Sequence, residues 1–324
     1  MKGGLMRILM FLFLLIPCVI FAQSALHPYA SDKPIREPKL LLEGIISTPD
    51  DDLNATFTVD GKTVYFSKNV QNRLGVILES HYANGKWTKP QVVSFSGQYS
   101  DFDPCLTADG KKLFFCSNRP VAGRKQRDFD IYMVERKGTG WSEPINVGAP
   151  VNTEGHEFYP SVSNDGTIIF SSNRPGGKGA YDIYMAARTG SGFAEPANLG
   201  DSINVATSEI DNYLAPDKSY IIFAGYGRPD SHGNGDLYIS LFRNGIWTKA
   251  RNLGAPVNSS EREYCPAVSP DGRYLFWTSF RSFADKPLEK PIKYDELIRQ
   301  LRGTLNGAGN VYQIDISAVG LDQE

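Results

Sequence analysis

The sequence predicts an all-β fold, because one pattern of short strands and turns recurs along most of its 324 residues. Each repeat contains a hairpin turn of the Asp-Gly or Asp-Lys type between apolar strand residues, and such turns are strong short-range signals for a β-hairpin. The turn aspartates stand 49, 56, 52 and 54 residues apart and are Asp60, Asp109, Asp165, Asp217 and Asp271. Five repeats are therefore expected.

Each repeat reads as four strands. Two strands flank the hairpin turn, as in "SNDGTIIFSSNRP" (163–175), and a third follows a polar loop, as in "DIYMAAR" (182–188). The fourth begins at an aromatic position, which is held by Trp87, Trp141, Phe193 and Trp247. A sheet with two apolar faces buries them against its neighbours, so radially repeated four-stranded units predict a β-propeller.

The N-terminal strand is predicted to complete the last blade. The fifth repeat ends after its third strand, "NVYQIDISAV" (310–319), whereas "IREPKLLLEGIISTPDDD" (35–52) resembles the end of the second repeat, with Ile35 at the aromatic position. This closure would join the two ends of the ring and remove an exposed sheet edge. A propeller of six blades is the alternative, although residues 23–50 are too few for another blade.

The first 22 residues have the composition of a signal peptide. Lys2 and Arg7 precede and flank the apolar run "ILMFLFLLIPCVIF" (8–21), and Ala22 offers a small residue for cleavage. No other run is long and apolar enough to span a bilayer. We therefore expect an exported protein, periplasmic or secreted, without a membrane span.

The expected organisation is a signal peptide (1–22), an N-terminal extension (23–34), a single propeller domain (35–319) and a short tail (320–324). Within the propeller, the blades are placed near 47–98, 99–152, 153–204, 205–258 and 259–319, the last together with 35–46.

Composition excludes several function classes. A formal net charge of −2 lacks the basic excess of a nucleic-acid-binding domain. After removal of the signal peptide, the odd set of Cys105, Cys116 and Cys265 is not a disulfide framework. The four histidines are scattered without metal-ligand spacing, so neither a metal nor a cofactor is expected.

The repeats resemble the TolB-type propeller repeat of bacterial envelope proteins. The shared features are the Pro-Asp-Gly hairpin, the Ser-Asn-Arg-Pro loop and the Asp-Ile-Tyr strand, over about residues 35–319. The resemblance implies a propeller fold and a cell-envelope context. The helical domain that precedes the propeller in TolB itself has no counterpart in this sequence.

Two columns of side chains follow from aligning the repeats. An acid stands eight residues before each turn aspartate, and these acids are Asp52, Asp101, Glu157, Glu209 and Glu263. An arginine follows the second strand in four repeats, as Arg119, Arg174, Arg228 and Arg281. Strand direction places both columns on one face of the propeller. They could form local pairs that order the loops, or line a polar funnel that binds a partner.

A second column, two residues after the acids, varies from repeat to repeat and consists of Asn54, Asp103, Tyr159, Asp211 and Cys265. Five-bladed propellers include glycoside hydrolases with acids on their innermost strands. If the protein were an enzyme, the catalytic candidates would be Asp101, Asp103, Glu157 and Asp211, because hydrolysis needs two carboxyls in unlike environments.

The aspartate of the Asp-Ile-Tyr strand is expected to accept backbone hydrogen bonds within its loop, or to pair with an arginine of the second column. It is Asp130, Asp182 and Asp236 in the second to fourth repeats, while Gly75 stands at this place in the first.

Departures from the repeat are the better candidates for specific recognition. The longest, 282–309, contains "KYDELIRQLRGTL" with Leu297, Ile298, Leu301 and Leu305 at helical spacing. This helix could pack on the rim of the propeller itself or dock a partner, and its candidate partner-binding residues are Lys290, Lys293, Arg299 and Leu301. Another departure is the basic loop 121–129, which contains Arg124, Lys125 and Arg127.

The function expected from the sequence is a non-enzymatic binding or scaffold propeller of the cell envelope. It would engage a protein or a glycan through the acid-bearing face, as a monomer or within a larger envelope complex. The alternative is a glycan-processing hydrolase or lyase.

Overall fold

The chain forms five small antiparallel sheets arranged as the blades of a β-propeller. A computed structural model describes residues 27–124, 128–190 and 192–320. The predicted signal peptide with Ala22, as well as Lys125 and Arg127, lies outside the described residues. The predicted fold class, with five blades rather than six, is confirmed.

The first blade contains β2 (Asp51–Phe57), β3 (Thr63–Val70), β4 (Leu74–Ala83), β5 (Lys86–Trp87) and β6 (Gln91–Val92). The second contains β7 (Asp101–Leu106), β8 (Lys112–Ser117), β9 (Asp130–Lys137), β10 (Gly140–Trp141) and β11 (Ile145–Asn146). The third contains β12 (Glu157–Val162), β13 (Ile168–Ser172), β14 (Asp182–Ala186) and β15 (Ala197–Asn198). The fourth contains β16 (Ser208–Leu214), β17 (Tyr220–Tyr226), β18 (Asp236–Arg243), β19 (Ile246–Trp247) and β20 (Arg251–Asn252).

The fifth blade is shared by both ends of the chain. It contains β21 (Glu263–Val268), β22 (Tyr274–Ser279) and β23 (Asn310–Asp315), and β1 (Lys39–Leu40) supplies its outer strand. Between β22 and β23 lies helix α1 (Tyr294–Leu301), and the 3₁₀ turn Ile316–Val319 follows β23.

The closing strand is held by backbone pairing and by burial. Lys39 lies opposite Gln313 in the antiparallel register, and Leu41 donates its N–H to the Val311 carbonyl at 2.8 Å. Leu41 is fully buried. The predicted closure by the N-terminal strand is therefore confirmed.

The core is divided among the boundaries between blades. Phe57 and Phe66 of the first blade pack with Tyr274 and Phe276 of the fifth, and corresponding clusters lie at the other four boundaries. Each sheet thus buries apolar side chains on both faces, as the repeat pattern requires.

The aromatic position packs against the boundary with the preceding blade. The tryptophans at this position lie on the short outer strands and are half-buried. Trp87 contacts the cluster between the first and fifth blades, Trp141 the one between the first and second, and Trp247 the one between the third and fourth. The Arg136 guanidinium stacks over the Trp141 ring at 4.1 Å from the ring centroid. These rings cover the outer ends of the cores and are not enclosed within them.

Candidate functional site

The five acids of the first column lie at the beginning of each innermost strand, at one end of the propeller. We call this end the acid-bearing face, and the opposite end, where the Asp-Gly turns lie, the hairpin face. The acids are fully buried, with an exposed fraction of 0% for Asp52, Asp101, Glu157, Glu209 and Glu263.

Each acid pairs with a cation of its own blade. Glu209 accepts a hydrogen bond from Arg228 at 2.9 Å, and Glu157 accepts one from Arg174 at 3.3 Å. Asp101 pairs with Arg119 in the same way, and the Arg281 side chain lies 3.7 Å from Glu263.

The first blade has no arginine after its second strand, and Lys68 takes over the role. Its Nζ lies 2.8 Å from Asp52 and 2.8 Å from Asp50. The sequence alignment missed this residue, because Lys68 stands two positions before the arginine column. The first repeat has an acid in the column, Asp52, but no aligned arginine, and this mismatch was the signal that could have led to Lys68.

The arginines also tie each blade to the loop that enters it. Arg281 donates to the Val257 carbonyl at 2.6 Å, and Arg119, Arg174 and Arg228 donate to the carbonyls of Phe95, Val151 and Ile203. Each guanidinium lies over aromatic rings of its own blade, as Arg228 does over Tyr238 at 4.5 Å. These shared contacts favour the interpretation that the two columns order the loops.

Burial raises the pKa of every acid in the column, because it disfavours the charged form. The pKa of Asp52 rises to about 6, and hydrogen bonds from Lys68 and Thr48 oppose this rise. The pKa of Asp101, Glu157, Glu209 and Glu263 is also raised by burial, against the opposing effect of the arginine partners. The five settings are alike, so none of these acids is set apart for a distinct chemical role.

The second column occupies an irregularity of the innermost strands. Its five residues have left-handed backbone conformations, with φ of 57° for Asn54, 60° for Asp103, 52° for Tyr159, 59° for Asp211 and 51° for Cys265. The pairing register shifts at this place in each blade. Such bulges turn side chains away from the sheet.

Four members of this column form a buried polar cluster around the propeller axis. The Tyr159 hydroxyl contacts the Cys265 thiol, and Cys116 donates to Asp103 at 3.1 Å. Tyr226 donates to Asp211 at 3.4 Å and accepts from Arg262 at 2.8 Å. Asp103 and Asp211 are 3% and 1% exposed, so these two catalytic candidates are closed to a bulky substrate.

Burial changes the protonation of both carboxyls. The pKa of Asp103 rises from 3.8 to about 7 through burial, with the neighbouring Asp211 adding to the rise. The pKa of Asp211 rises to about 6, also through burial, while Arg262 opposes the rise. At a pH between the unfolded and the folded pKa values, the two carboxyls are therefore protonated in the folded protein and ionised in the unfolded chain.

Replacing Asp103 with Asn is expected to stabilise the protein at pH 8 and to change stability little at pH 4. The folded-state pKa lies above the unfolded value, so stability is lost as pH rises from about 4 to about 7. A tenfold change in the ionisation constant corresponds to about 1.4 kcal/mol, so the gain in the free energy of unfolding is at most about 4 kcal/mol.

Thermal unfolding of both proteins at pH 4 and pH 8 measures this difference. Replacement of the exposed Asp32 with Asn is the matched control for the loss of a surface carboxyl. An Asp103→Asn protein with the parent's pH dependence would show that Asp103 is ionised in the folded state.

Two of the three aspartates of the Asp-Ile-Tyr strands, Asp182 and Asp236, accept backbone hydrogen bonds within their loops. Asp182 accepts from the N–H of Lys178 at 2.7 Å and of Gly179 at 2.9 Å, and Asp236 does the same with His232 and Gly233. For Asp182 and Asp236 the first of the two expected roles is therefore the observed one, whereas Asp130 pairs with Arg124 of its own loop at 2.9 Å.

The strand register corrects one detail of the alignment. Lys68 lies opposite Val76 in the first blade, as Ser117 lies opposite Asp130 in the second. Val76, and not Gly75, therefore occupies the aspartate position.

A cavity of about 210 Å³ lies in the central channel on the side of the hairpin face. It extends from the second column, at Asn54 and Tyr159, toward the hairpin turns, and Pro104, Pro160 and Pro266 are among its walls. The acid column does not line it.

The insertion lies on the acid-bearing face. It is tethered near its end, where Asn306 donates to the Pro49 carbonyl at 2.9 Å and Phe283 donates its N–H to the Leu305 carbonyl at 2.9 Å. Helix α1 contains no buried residue, and Tyr294 and Leu301 are 74% and 49% exposed. The other predicted partner-binding residues, Lys290, Lys293 and Arg299, are also exposed.

The described part of the chain contains no cluster of His, Cys, Asp and Glu suited to a metal ion. None of its helices is long and apolar enough to cross a membrane.

Comparison with solved structures finds proteins of several kinds. TolB from Acinetobacter baumannii is 16% identical with a TM-score of 0.47, covering 82% of this chain and 54% of that one. The chain is similar to TolB structures. A candidate TolB from Agrobacterium tumefaciens is 15% identical with a TM-score of 0.49, covering 83% and 91%. An alpha-L-arabinofuranosidase from Lactobacillus brevis is 12% identical with a TM-score of 0.48, covering 84% and 92%.

The resemblance of the repeats to the TolB type is confirmed at the level of fold. These similarities carry no information on activity or partners at such identities and TM-scores, and the chain spans about half of the Acinetobacter TolB chain. No protein-family model matches the sequence, and no curated protein does.

Proposed function

We propose that the protein is an exported, non-enzymatic binding propeller of the bacterial cell envelope, which engages a protein partner through the insertion on its acid-bearing face. The exposed helix α1 carries this proposal. Its apolar residues Tyr294 and Leu301 are presented to solvent, although residues at such spacing usually pack against a core. A groove on a protein partner is the common binding site for a short amphipathic helix.

The ends of the helix suit a polar surrounding. Asp295 and Glu296 lie in its first turn and Arg299 in its last, which complements the helix dipole. Tyr294 and Leu301 are therefore available for docking, whereas Leu297 and Ile298 of the same helix are half-buried. A groove on a protein can enclose Tyr294 and Leu301 while the charged side chains of the helix stay in water, which favours a protein over a glycan.

The arrangement of the acids supports a binding role over the hydrolase alternative. Asp101 and Glu157 are occupied by Arg119 and Arg174, and Asp103 and Asp211 are enclosed. A glycosidase needs two carboxyls that flank a substrate bond. Export is proposed from the charge and apolar pattern of residues 1–22.

Replacing residues 284–307 with a short Gly-Ser linker is expected to leave cooperative unfolding nearly unchanged and to abolish partner binding. The helix buries no residue, so its removal costs little of the free energy of unfolding. Affinity capture from the native envelope, followed by mass spectrometry, compares the variant with the parent.

Two point variants sharpen this test. Leu301→Asp places a charge on the exposed helix, whereas Val92→Asp places one on the outer strand of the first blade, where Val92 is 52% exposed. The partner should be lost with Leu301→Asp and retained with Val92→Asp. Equal recovery of the same proteins with every variant would rule out the insertion as the binding element.

A further inference from the structure

A groove of about 330 Å³ lies on the outer rim, between the third and fourth blades. Met185 of β14 and the rings of Phe242 and Trp247 form its walls, and the alanines of the third blade complete its surface, namely Ala187, Ala194 and Ala197. Thr167 and Lys218, near the hairpin turns, mark its end toward the hairpin face.

The repeat shows that small residues create this groove. Ala197 pairs with Met185 in the third blade, and Ile145 pairs with Met133 at the same register in the second. Ala194 donates its N–H to the Ala187 carbonyl, as Ser142 does to Glu135. Glu135, Ser142 and Ile145 of the second blade are thus replaced by alanine in the third, and the largest loss of bulk is at Ala197.

The walls of the groove suit an aromatic ring. The rings of Phe242 and Trp247 have centroids 4.9 Å apart and are tilted by 54°. The thioether of Met185 faces the same space, and sulfur–aromatic contacts are favourable. A sugar would need more hydrogen-bonding groups than these apolar walls offer.

The surface beside the groove is larger than a small molecule would cover. Phe242 and Ile246 are 38% and 69% exposed at its edge. Exposed apolar residues around a pocket are typical of a protein interface, in which one buried anchor supplies much of the affinity.

The charged residues at the edge of the groove indicate which charge the partner carries next to its aromatic ring. The ammonium of Lys218 pairs with the Asp165 carboxylate. Glu195 also lines the groove and is exposed, and within the described residues it has no ion pair. The uncompensated charge is therefore negative, which favours a cation on the partner.

We propose that this groove is a docking site for a protein segment that inserts an aromatic side chain and places a lysine or arginine beside Glu195. The site is distinct from the insertion, which lies on the acid-bearing face. A protein with both sites can hold two partners at once.

Methionine-methyl NMR of the full-length chain tests the proposal. The probe is the dipeptide Ac-Trp-Lys-NH₂, with Ac-Trp-Glu-NH₂ and Ac-Ala-Lys-NH₂ for comparison. The Met185 signal should shift in a saturable manner with Ac-Trp-Lys-NH₂, and the Met133 signal, from the equivalent register of the second blade, should not. Binding of Ac-Trp-Glu-NH₂ should be weaker by about fivefold, as expected for one exposed ion pair.

Two variants place the probe in the groove. Ala197→Ile restores the side chain of the second blade and should abolish the Met185 shift, whereas Val92→Ile adds bulk elsewhere and should not. The proposal fails if Met185 does not respond to Ac-Trp-Lys-NH₂, if Ala197→Ile responds like the parent, or if the acidic dipeptide binds as well as the basic one. A Met185 shift with methyl glucoside, or with protein concentration alone, would instead identify a glycan or a second copy as the occupant.

Discussion

Removal of residues 23–45 is expected to abolish cooperative unfolding and to cause aggregation. The deletion removes β1, leaves β23 with an unpaired edge, and exposes the boundary core in which Tyr29, Ile35 and Leu41 are buried. Unpaired edges are sites of intermolecular strand addition. Calorimetry and light scattering of the truncated and parent proteins measure both effects.

A matched pair of point variants separates packing from a general effect of mutation. Leu41→Ala removes a fully buried side chain and should cost about 2–5 kcal/mol, whereas the exposed Lys39→Ala, on the same strand, should cost little. A truncated protein that melts like the parent would contradict the role of the N-terminal strand in closing the ring.

Replacement of Arg228 with Met is expected to lower the free energy of unfolding by about 3–5 kcal/mol, because it leaves the buried Glu209 without its cation. The variant also loses the hydrogen bond to the Ile203 carbonyl. Replacement of the exposed Arg243 with Met is the control and should have little effect.

The double variant Arg228→Met with Glu209→Leu tests the cause of that loss. Removal of both charges should recover part of the stability, because an apolar pair avoids the cost of an unpaired buried carboxylate. Chemical denaturation of the parent, Arg228→Met, Glu209→Leu and the double variant gives the coupling energy between the two side chains. A coupling energy near zero would show that Glu209 does not depend on Arg228.

The architecture was predictable because its signals are local and repeated. The Asp-Gly turns indicated the number of blades, and the likeness of 35–52 to 141–157 indicated the closure. Alignment of the repeats also predicted that the five acids lie at one end, because equivalent residues of similar blades lie at the same height along the propeller axis.

The chemistry of the columns was less predictable, because it depends on which groups meet in space. Lys68 reaches Asp52 from a neighbouring strand, although it does not align with the arginines. Whether the amphipathic segment 294–301 packs against the rim depends on where the insertion leaves the blade, and the repeat has no counterpart for it. The groove beside Trp247 arises because three positions of the third blade hold alanine, and no single alanine in a sequence indicates a groove.

The shared fifth blade also has a consequence for biogenesis. Lys39 pairs with Gln313, so the ring cannot close until nearly the whole polypeptide has been synthesised. Until then its first apolar strand lacks its final neighbour, and contacts between such distant residues form slowly. The nascent protein therefore keeps an unpaired sheet edge for longer than a protein whose first domain folds as it emerges.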